Sequence, residues 1–537
     1  MSGRADFRTG ISSQGASLLV ELVRSAHDGD RSATFETAVE TFSRVHSSGS
    51  PVPVVDDWYS GRIPLTLPNA GQQFAFEVAL DSCTGCKACV VACHSLNGLD
   101  DDESWRRVGA LFGVQGTTAE QRTVTTACHH CLEPACLEGC PVNAYEKDAR
   151  TGAVIHLDDQ CIGCSYCTMT CPYEVPQFND RLGIVRKCDL CHGRLVEGES
   201  PACVQGCPNG AIRIAIVDSS DVRAASRIGP FAPLVPGCAD SSLSVPTTRY
   251  MTGLGSLDGM VAEDDDVVLA APAHDPLAAM LVLTQVGVGL VAADAVLHFS
   301  GPAPTRWMSI AGLLLAFVGI AASFAHLGRP MKAWRVVLGV RHSWLSREAI
   351  ALGIFMALGT LQILVRSAVF GGLALIAGLL AVFTSVQVYA VTGRRWWSLP
   401  RVASRFGLTV IVALLSGVGA WTKGAPIGLL AALAMVGSVW SLRTPHCTPH
   451  RTPHCTRHYD SDVSLRRTAQ LLRGVLRRRV LVQGFLGLAG ACVVVVGALF
   501  GSGPTKTAGL VLFVLSALIE RTLFFRAVAP DRMPGYR

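Results

Sequence analysis

Residues 161–172 read CIGCSYCTMTCP, which places four cysteines in the spacing C-x2-C-x2-C-x3-C and ends in proline. Residues 83–93, CTGCKACVVAC, repeat that spacing. Further outward, sixteen of the twenty cysteines lie between Cys83 and Cys207 in four groups of four. The groups are Cys83, Cys86, Cys89 and Cys93; Cys128, Cys131, Cys136 and Cys140; Cys161, Cys164, Cys167 and Cys171; and Cys188, Cys191, Cys203 and Cys207. Thiols in such dense and regular groups predict bound metal.

The spacing of the thiols favours iron–sulfur clusters. A C-x2-C-x2-C-x3-C-P run is the ligand pattern of a [4Fe–4S] ferredoxin, and its fourth cysteine usually serves the other cluster of a pair. A tight loop can hold three corners of a cubane and direct backbone N–H groups at the sulfurs, but it cannot reach the fourth corner. Four groups therefore predict four [4Fe–4S] clusters in two pairs. Structural zinc is the alternative, although zinc sites usually use two separated pairs of cysteines.

Composition divides the chain of 537 residues into a mixed, polar first half and an apolar second half. The net charge of +5 is carried mainly by short loops, and no basic patch interleaved with aromatic residues predicts a nucleic-acid partner. The opening residues show neither an apolar signal core nor a twin arginine, so we expect no export signal. In a large chain without export, twenty cysteines indicate metal ligands more than disulfides.

Four segments follow in order: an N-terminal extension (1–72), a four-cluster ferredoxin-type domain (73–215), a Ser-, Pro-, Gly- and Asp-rich linker (216–275) and a membrane domain (276–537). Alternating stretches at 74–80, 153–157 and 211–217 predict short strands that flank the cysteine loops. The expected fold class is an α+β ferredoxin-like tandem domain followed by an all-α polytopic membrane domain.

About eight apolar runs in the second half are long enough to cross a bilayer as helices. They lie near 276–298, 307–325, 348–365, 369–391, 405–421, 425–442, 480–502 and 508–527. The loops after the second, fourth and sixth runs carry 18 Lys and Arg, against four in the odd loops. Cytoplasmic loops of membrane proteins carry an excess of Lys and Arg. The count therefore predicts a multi-pass protein of the cytoplasmic membrane, with the cysteine domain on the cytoplasmic side.

The cysteine region closely resembles the iron–sulfur subunit of the DMSO reductase family of molybdoenzymes, over about Phe74 to Ile214. The matching residues include CHHCLEPACLEGCPVNAYEKD (128–148) and CIGCSYCTMTCPYEVP (161–176). The resemblance implies how cysteines share clusters. It assigns one cluster each to Cys83, Cys86, Cys89 and Cys207; to Cys93, Cys188, Cys191 and Cys203; to Cys128, Cys131, Cys136 and Cys171; and to Cys140, Cys161, Cys164 and Cys167. Some relatives carry Trp at the position of Cys164 and a [3Fe–4S] cluster there, so the cysteine implies four full cubanes.

The second half resembles the membrane anchor subunit of the same enzymes. The motif HLGRPMKAWRVVLGVRHSWLSRE (326–348) carries the likeness, and ERTLFF (520–525) adds to it. The resemblance links His326 and Glu348 to quinol binding, and ionisable residues at a membrane boundary can accept protons from quinol. Arg329, Trp344 and Arg347 are further candidates that could shape the pocket or anchor the interface.

Three other polar patterns are less specific. Asp294 and His298 share a helix face and predict an interfacial hydrogen-bonded pair more than a proton path. Glu520 and Arg521 predict a structural ion pair. The tract TPHCTPHRTPHCTRH (444–458) could bind metal, although a tandem duplication is the favoured explanation.

Taken together, these patterns predict a non-terminal electron-transfer subunit fused to its membrane anchor. Menaquinol or ubiquinol would be oxidised in the helical half, and electrons would pass through four clusters to a separate molybdopterin-containing catalytic subunit. Electron flow in the opposite direction, with reduction of quinone, is left open. The alternatives are a related subunit of a polysulfide, tetrathionate, nitrite or nitrate reductase complex, a membrane redox sensor, and a zinc-binding scaffold.

Overall fold

Two small sheets form the frame of the cysteine domain. In the first, β1 (Gln72–Ala79) pairs antiparallel with β8 (Ile212–Asp218) and parallel with β9 (Arg249–Met251). Phe74, Phe76 and Val78 lie on one face of β1 and are buried, as the alternating sequence predicts. Because β1 precedes the first cysteine group and β8 follows the last, this pairing closes the domain around the thiols.

The second sheet is the hairpin of β2 (Arg107–Gln115) and β3 (Thr118–Thr126), extended by β10 (Val261–Ala262). Two short hairpins complete the strands: β4 (Tyr145–Lys147) with β5 (Val154–His156), and β6 (Gln177–Asn179) with β7 (Ile184–Arg186). The three strands predicted from alternation are confirmed as β1, β5 and β8.

Short helices of the cysteine domain carry five of the sixteen cysteines. They are α1 (Ala88–Asn97), α2 (Ala135–Gly139), α3 (Tyr166–Thr170), α4 (His192–Val196) and α5 (Ala202–Gln205), followed by α6 (Ser219–Ala225). α1 and α3 begin alike, after left-handed residues at Lys87 (φ 61°) and Ser165 (φ 55°). The same local geometry in two places supports an internal duplication of the cysteine loop.

The segment 216–275 is more than a linker in the structure. It supplies the end of β8, helix α6, and strands β9 and β10, which extend both sheets. Its lone cysteine, Cys238, is fully buried in the core of the cysteine domain. Strand pairing therefore ties this segment to the domain that precedes it.

Among the residues that the structure describes, seven helices are long and apolar enough to cross a membrane. They are α7 (Asp275–Phe299), α8 (Trp307–Phe324), α9 (Trp344–Val365), α10 (Ala368–Ala390), α11 (Leu399–Trp421), α14 (Arg477–Leu499) and α15 (Gly503–Arg526). The sixth predicted run forms a shorter apolar helix, α12 (Ala425–Trp440), and the additional helix α13 (Tyr459–Arg473) is polar. The fold class is confirmed.

This is a computed structural model, and it describes residues 61–64, 66–115, 118–227, 233–254, 256–299, 306–421, 425–440 and 459–535, with the side chains of 459–462 excepted. The described residues from Arg62 onward belong to one compact unit. Most of the predicted N-terminal extension and the His/Cys tract at 444–458 lie outside the described residues.

A C-terminal segment, residues 527–535, runs from the last membrane helix back to the cysteine domain. Met533 is fully buried in the core of that domain. The backbone at Gly535 packs so closely on Gly109 of β2 that a Cβ built on Gly109 would lie 2.3 Å from the Gly535 nitrogen. Arg532 binds Glu174 at 3.4 Å, and its backbone N–H donates to the Gly237 carbonyl. The chain end thus fastens the two halves together.

Candidate functional site

The sixteen cysteines gather into four sets, each drawn from two of the sequence groups. In each set the thiols line one small cavity or lie within electrostatic reach of one another. Set A is Cys83, Cys86, Cys89 and Cys207; set B is Cys93, Cys188, Cys191 and Cys203; set C is Cys128, Cys131, Cys136 and Cys171; set D is Cys140, Cys161, Cys164 and Cys167. The structure brings together the combinations that the resemblance implies.

The chemistry around the sets suits iron–sulfur clusters. Small cavities open among all four thiols of set A and of set C. Backbone N–H groups point at sulfur, as at Gly163 toward Cys161 (3.4 Å) and Ala144 toward Cys140 (3.2 Å). Burial raises the pKa of the Cys93 thiol to about 12, so iron binding must displace its proton.

No three His, Cys, Asp or Glu side chains of the described residues come together in a way that suits a single metal ion. The histidines next to the cysteines make other contacts. His129 shares a hydrogen bond with Thr248, and His192 binds Asp148 at 2.7 Å. His130 accepts from the Val154 N–H at Nδ1, which leaves its Nε2–H facing Cys188 at 3.9 Å.

The four sets follow one another in space in the order A, B, C, D. Helix α1 joins sets A and B, because it holds both Cys89 and Cys93. Cys188 of set B lies near Cys128 of set C. Helix α2 joins sets C and D, because it holds Cys136 and ends beside Cys140. Cys86 is exposed, so set A marks one end of the series.

A cavity of about 260 Å³, here called the junction cavity, lies at the other end of the series. Its walls include Cys164 of set D together with Tyr166, His326, Glu348 and Tyr389. Most of the remaining wall is aliphatic and comes from α7, α8 and α9. A mostly apolar cavity with a few converging polar groups is typical of a site for an organic ligand.

His326 contacts the cysteine domain directly. Its Nε2 shares a hydrogen bond with the Cys164 carbonyl at 3.1 Å, and since a carbonyl only accepts, Nε2 carries the hydrogen. Burial lowers the pKa of His326, an effect that the Cys164 carbonyl partly offsets. The neutral ring therefore keeps Nδ1 as a hydrogen-bond acceptor. His274, with its ring centroid 5.2 Å away, packs edge-on against His326.

Glu348 is buried at the start of α9, and Ser385 of α10 donates a hydrogen bond to its Oε1. Tyr166 and Tyr389 lie within electrostatic reach of this carboxylate. The Tyr166 hydroxyl donates to the Val388 carbonyl at 2.6 Å, which links the cysteine loop of set D to α10. The two tyrosines and Ser385 did not emerge from the sequence, although Tyr166 lies inside the CIGCSYC run.

The motif at 326–348 also docks the membrane half on set D. Three of its basic side chains donate to carbonyls of the cysteine domain, Arg329 to Asp158, and Lys332 and Arg335 to Asp159. Main-chain N–H groups at 328, 329 and 339 donate to carbonyls at 163, 162 and 141. The motif therefore holds the junction cavity against the loops that carry set D.

Arg329, Trp344 and Arg347 do not belong to the part of the cavity wall that the structure describes. Arg329 is a docking residue. Arg347 donates to the carbonyls of Val340 and Arg341 and lies over the Trp344 ring, with Cζ 4.5 Å from its centroid. Of the two roles that the sequence left open, shaping the pocket or anchoring the interface, these contacts favour the second, because the side chains turn away from the cavity.

The remaining polar patterns lie away from the junction cavity. Asp294 accepts hydrogen bonds from Ser309 (2.6 Å) and Gln362 (3.2 Å). Glu520 pairs with Arg521, and Arg405 lies 3.5 Å from the same carboxylate, all three buried. The predicted ion pair is therefore a buried network of three charged groups.

Comparison with known proteins shows to which family the protein belongs. The 4Fe-4S dicluster domain family matches residues 120–216, and the DMSO reductase anchor subunit (DmsC) family matches residues 274–423. The B subunit of anaerobic dimethyl sulfoxide reductase from Haemophilus influenzae is 32% identical over 206 residues, which is 36% of this protein and 100% of the relative. The protein belongs to the DMSO reductase family.

Other relatives match the same half of the sequence. The B subunit of the anaerobic dimethyl sulfoxide reductase from Escherichia coli is 38% identical over 156 residues, 27% of this protein and 75% of the relative. The iron–sulfur subunit of formate dehydrogenase-O from Escherichia coli is 34% identical over 185 residues, 30% of this protein and 61% of the relative.

This DMSO reductase family member joins in one polypeptide the iron–sulfur and anchor regions that the two family matches describe separately. It is a multi-pass membrane protein that functions in iron–sulfur electron transfer. Its relatives imply a catalytic subunit as partner.

Proposed function

We propose that this protein oxidises quinol in the junction cavity and passes the electrons through four [4Fe–4S] clusters to a separate molybdopterin-containing subunit. One observation carries the proposal: Cys164 of set D forms part of the wall of the same cavity as His326 and Glu348. No layer of protein would lie between a quinol bound in this cavity and the cluster ligand Cys164.

The residues of the cavity suit the proton chemistry of quinol. Oxidation of a quinol to a quinone releases two electrons and two protons, and the protons need acceptors at the ring oxygens. His326 offers Nδ1, since its Nε2–H is held by the Cys164 carbonyl. Glu348 offers a carboxylate whose position is set by Ser385. The aliphatic walls suit the ring and the first part of an isoprenoid tail.

The clusters would accept one electron at a time, and the protein's part is to hold them in sequence. Sets D, C, B and A would form the path from the cavity to the exposed end at Cys86. A catalytic subunit would bind at that end. The likeness to a formate dehydrogenase subunit favours a second candidate function. In that function, electrons enter the same path from the partner subunit and reduce quinone in the cavity.

We also propose that the cysteine domain faces the cytoplasm. The support is the excess of Lys and Arg in the even loops. Several of these cations, Lys332 and Arg394 among them, bind carbonyls of the cysteine domain, so docking accounts for part of the excess. A reporter fused after Arg537 should be active in the cytoplasm, and activity only outside it would refute this orientation.

Proton release would then occur on the cytoplasmic side, where a reductase partner consumes protons. Turnover is therefore expected to be electroneutral. Vesicles containing the complete complex should show quinol oxidation without a membrane potential, as read by a potential-sensitive dye. A potential that grows with turnover would contradict this arrangement.

The central experiment is purification of the full-length protein and its bound partners in mild detergent. Mass spectrometry should identify a molybdopterin-containing subunit, and iron analysis with EPR should count four clusters. Added quinol should reduce the clusters, whereas Glu348→Gln and His326→Gln should block that step without affecting reduction by dithionite. Asp294→Asn and His298→Gln are matched controls in the same membrane domain. Cluster reduction by quinol at the normal rate in both cavity variants would refute the site.

A further inference from the structure

Arg106 is a buried cation with unused hydrogen-bonding capacity. It directly precedes β2, and it is 1% exposed. Its guanidinium carbon lies 4.5 Å from the centroid of the Phe76 ring, and Nη1 donates to the Thr125 hydroxyl at 3.2 Å. Nε and Nη2 are also buried, but neither has a hydrogen-bond partner among the described residues. Buried donors are nearly always satisfied, so these two indicate acceptors that belong to a bound group.

The charges around Arg106 point to the same group. Among the described residues no carboxylate forms an ion pair with it; the nearby Glu103 is paired with Arg186. The groups within electrostatic reach that become negatively charged when they bind iron include cysteines of two sets, Cys89 of set A and Cys93, Cys188 and Cys203 of set B. The guanidinium therefore lies where the negative charge of both sets can compensate its own.

We propose that Arg106 donates hydrogen bonds to the clusters held by sets A and B and raises their reduction potentials. The inference rests on the proposed function, since it requires clusters at these thiols. A cluster gains one negative charge when it is reduced, and a buried cation beside it stabilises that state. Hydrogen bonds to the sulfurs act in the same direction. The two clusters closest to the partner subunit would thereby hold electrons more firmly.

Thr125 extends the effect to set A by a second route. Its hydroxyl oxygen accepts from Arg106, which leaves the hydroxyl hydrogen free for the Cys89 sulfur at 3.6 Å. A thiolate that accepts a hydrogen bond donates less charge to iron. Thr125 therefore acts directly only on set A, whereas Arg106 acts on both sets.

The test is a potentiometric titration of the full-length protein with its partners, followed by EPR. Iron content and signals of the unaltered protein first establish whether four clusters are present. In Arg106→Gln, the reduction equilibrium constants of two of the four clusters should fall at least tenfold, which is about 59 mV for a one-electron couple. Thr125→Val should lower the potential of the set A cluster most, because it removes the hydrogen bond to Cys89. Arg181→Gln removes an exposed cation that pairs with Asp100, and should change none.

The outcomes separate this inference from the proposed function. An unaltered protein without four clusters contradicts the proposed function. Four clusters with unchanged potentials in Arg106→Gln overturn the role of Arg106. If Arg106→Gln loses iron, Arg106→Lys is measured instead. Lysine keeps the charge but lacks the planar donor fork, so the same two potentials should fall by a smaller factor, and potentials equal to the unaltered protein would overturn the hydrogen-bonding role.

Discussion

Gly328→Ala should move the membrane side of the junction cavity away from set D without replacing any residue that lines the cavity or belongs to set D. Three glycines meet where the docking motif crosses the cysteine domain: Gly163 in the loop of set D, Gly183 in the β6–β7 turn, and Gly328 in the motif. A Cβ built on Gly328 would lie 2.2 Å from the Gly183 oxygen and 2.6 Å from its carbonyl carbon. Both are backbone atoms, so no side chain can rotate away to make room.

The displacement follows from these distances. Ordinary contact of a Cβ begins at 3.4 Å, so the two backbone segments must move apart by about 1.2 Å. Overpacking of this kind costs about 1–3 kcal/mol. The movement would strain the hydrogen bond from the Gly328 N–H to Gly163 and that from His326 to the Cys164 carbonyl. A misplacement of about 1 Å can lower a rate about 10²-fold.

Stopped-flow measurement of cluster bleaching after addition of a short-chain quinol gives the rate. We expect a fall of about 10²-fold in Gly328→Ala, with unchanged iron content and unchanged reduction by dithionite. Gly407→Ala is the matched control, because a Cβ at Gly407, in membrane helix α11, meets nothing within 4 Å. It should reduce its clusters at the normal rate.

A normal quinol rate in Gly328→Ala, with all clusters present, would refute the reasoning. It would mean either that the glycine contact does not set the spacing or that electrons enter the series elsewhere. A loss of rate in Gly407→Ala as well would show that the effect is not specific to the junction.

Three further changes test other parts of the fold. Met533→Ala should lower the free energy of unfolding of the cysteine domain by about 2–5 kcal/mol in chemical denaturation, since the side chain is fully buried, whereas the half-exposed Met251→Ala should have a small effect. Glu520→Gln leaves two buried arginines without their carboxylate and should cost about 3–5 kcal/mol, seen as thermal instability in detergent, whereas Glu199→Gln in an exposed pair should cost about 0–1 kcal/mol. Cys164→Trp should convert one cubane to a [3Fe–4S] cluster, with the loss of one iron per protein molecule and a new EPR signal in the oxidised protein.

The cysteine domain and the membrane helices could be predicted from local patterns. The run at 161–172 has the spacing of a cluster loop whatever surrounds it, because a turn that presents three thiols is set by neighbouring residues. Apolar runs such as 369–391 predict helices, because a lipid-exposed backbone has to satisfy its own hydrogen bonds. His326 and Glu348 were predicted as a pair by motif resemblance, and both line the junction cavity.

Other features depend on contacts between residues far apart in the sequence. The closeness of Arg106 to sets A and B arises from the tertiary packing of the cysteine domain, and no spacing in the sequence reports it. Arg329 was a candidate for shaping the pocket or anchoring the interface, but its side chain, like those of Lys332 and Arg335, turns toward carbonyls of the cysteine domain. Long side chains choose partners by what lies within reach, which only the folded protein establishes.

By itself, then, the sequence determined the number and kind of cysteine loops, the apolar helices, and the family to which both belong. Tertiary structure decided how the two halves meet. The three glycines, the C-terminal segment around Met533 and the wall shared by Cys164 and Glu348 bring together residues that are far apart in the sequence. Local sequence sets backbone conformation over a few residues, whereas the space between two surfaces depends on every side chain that separates them.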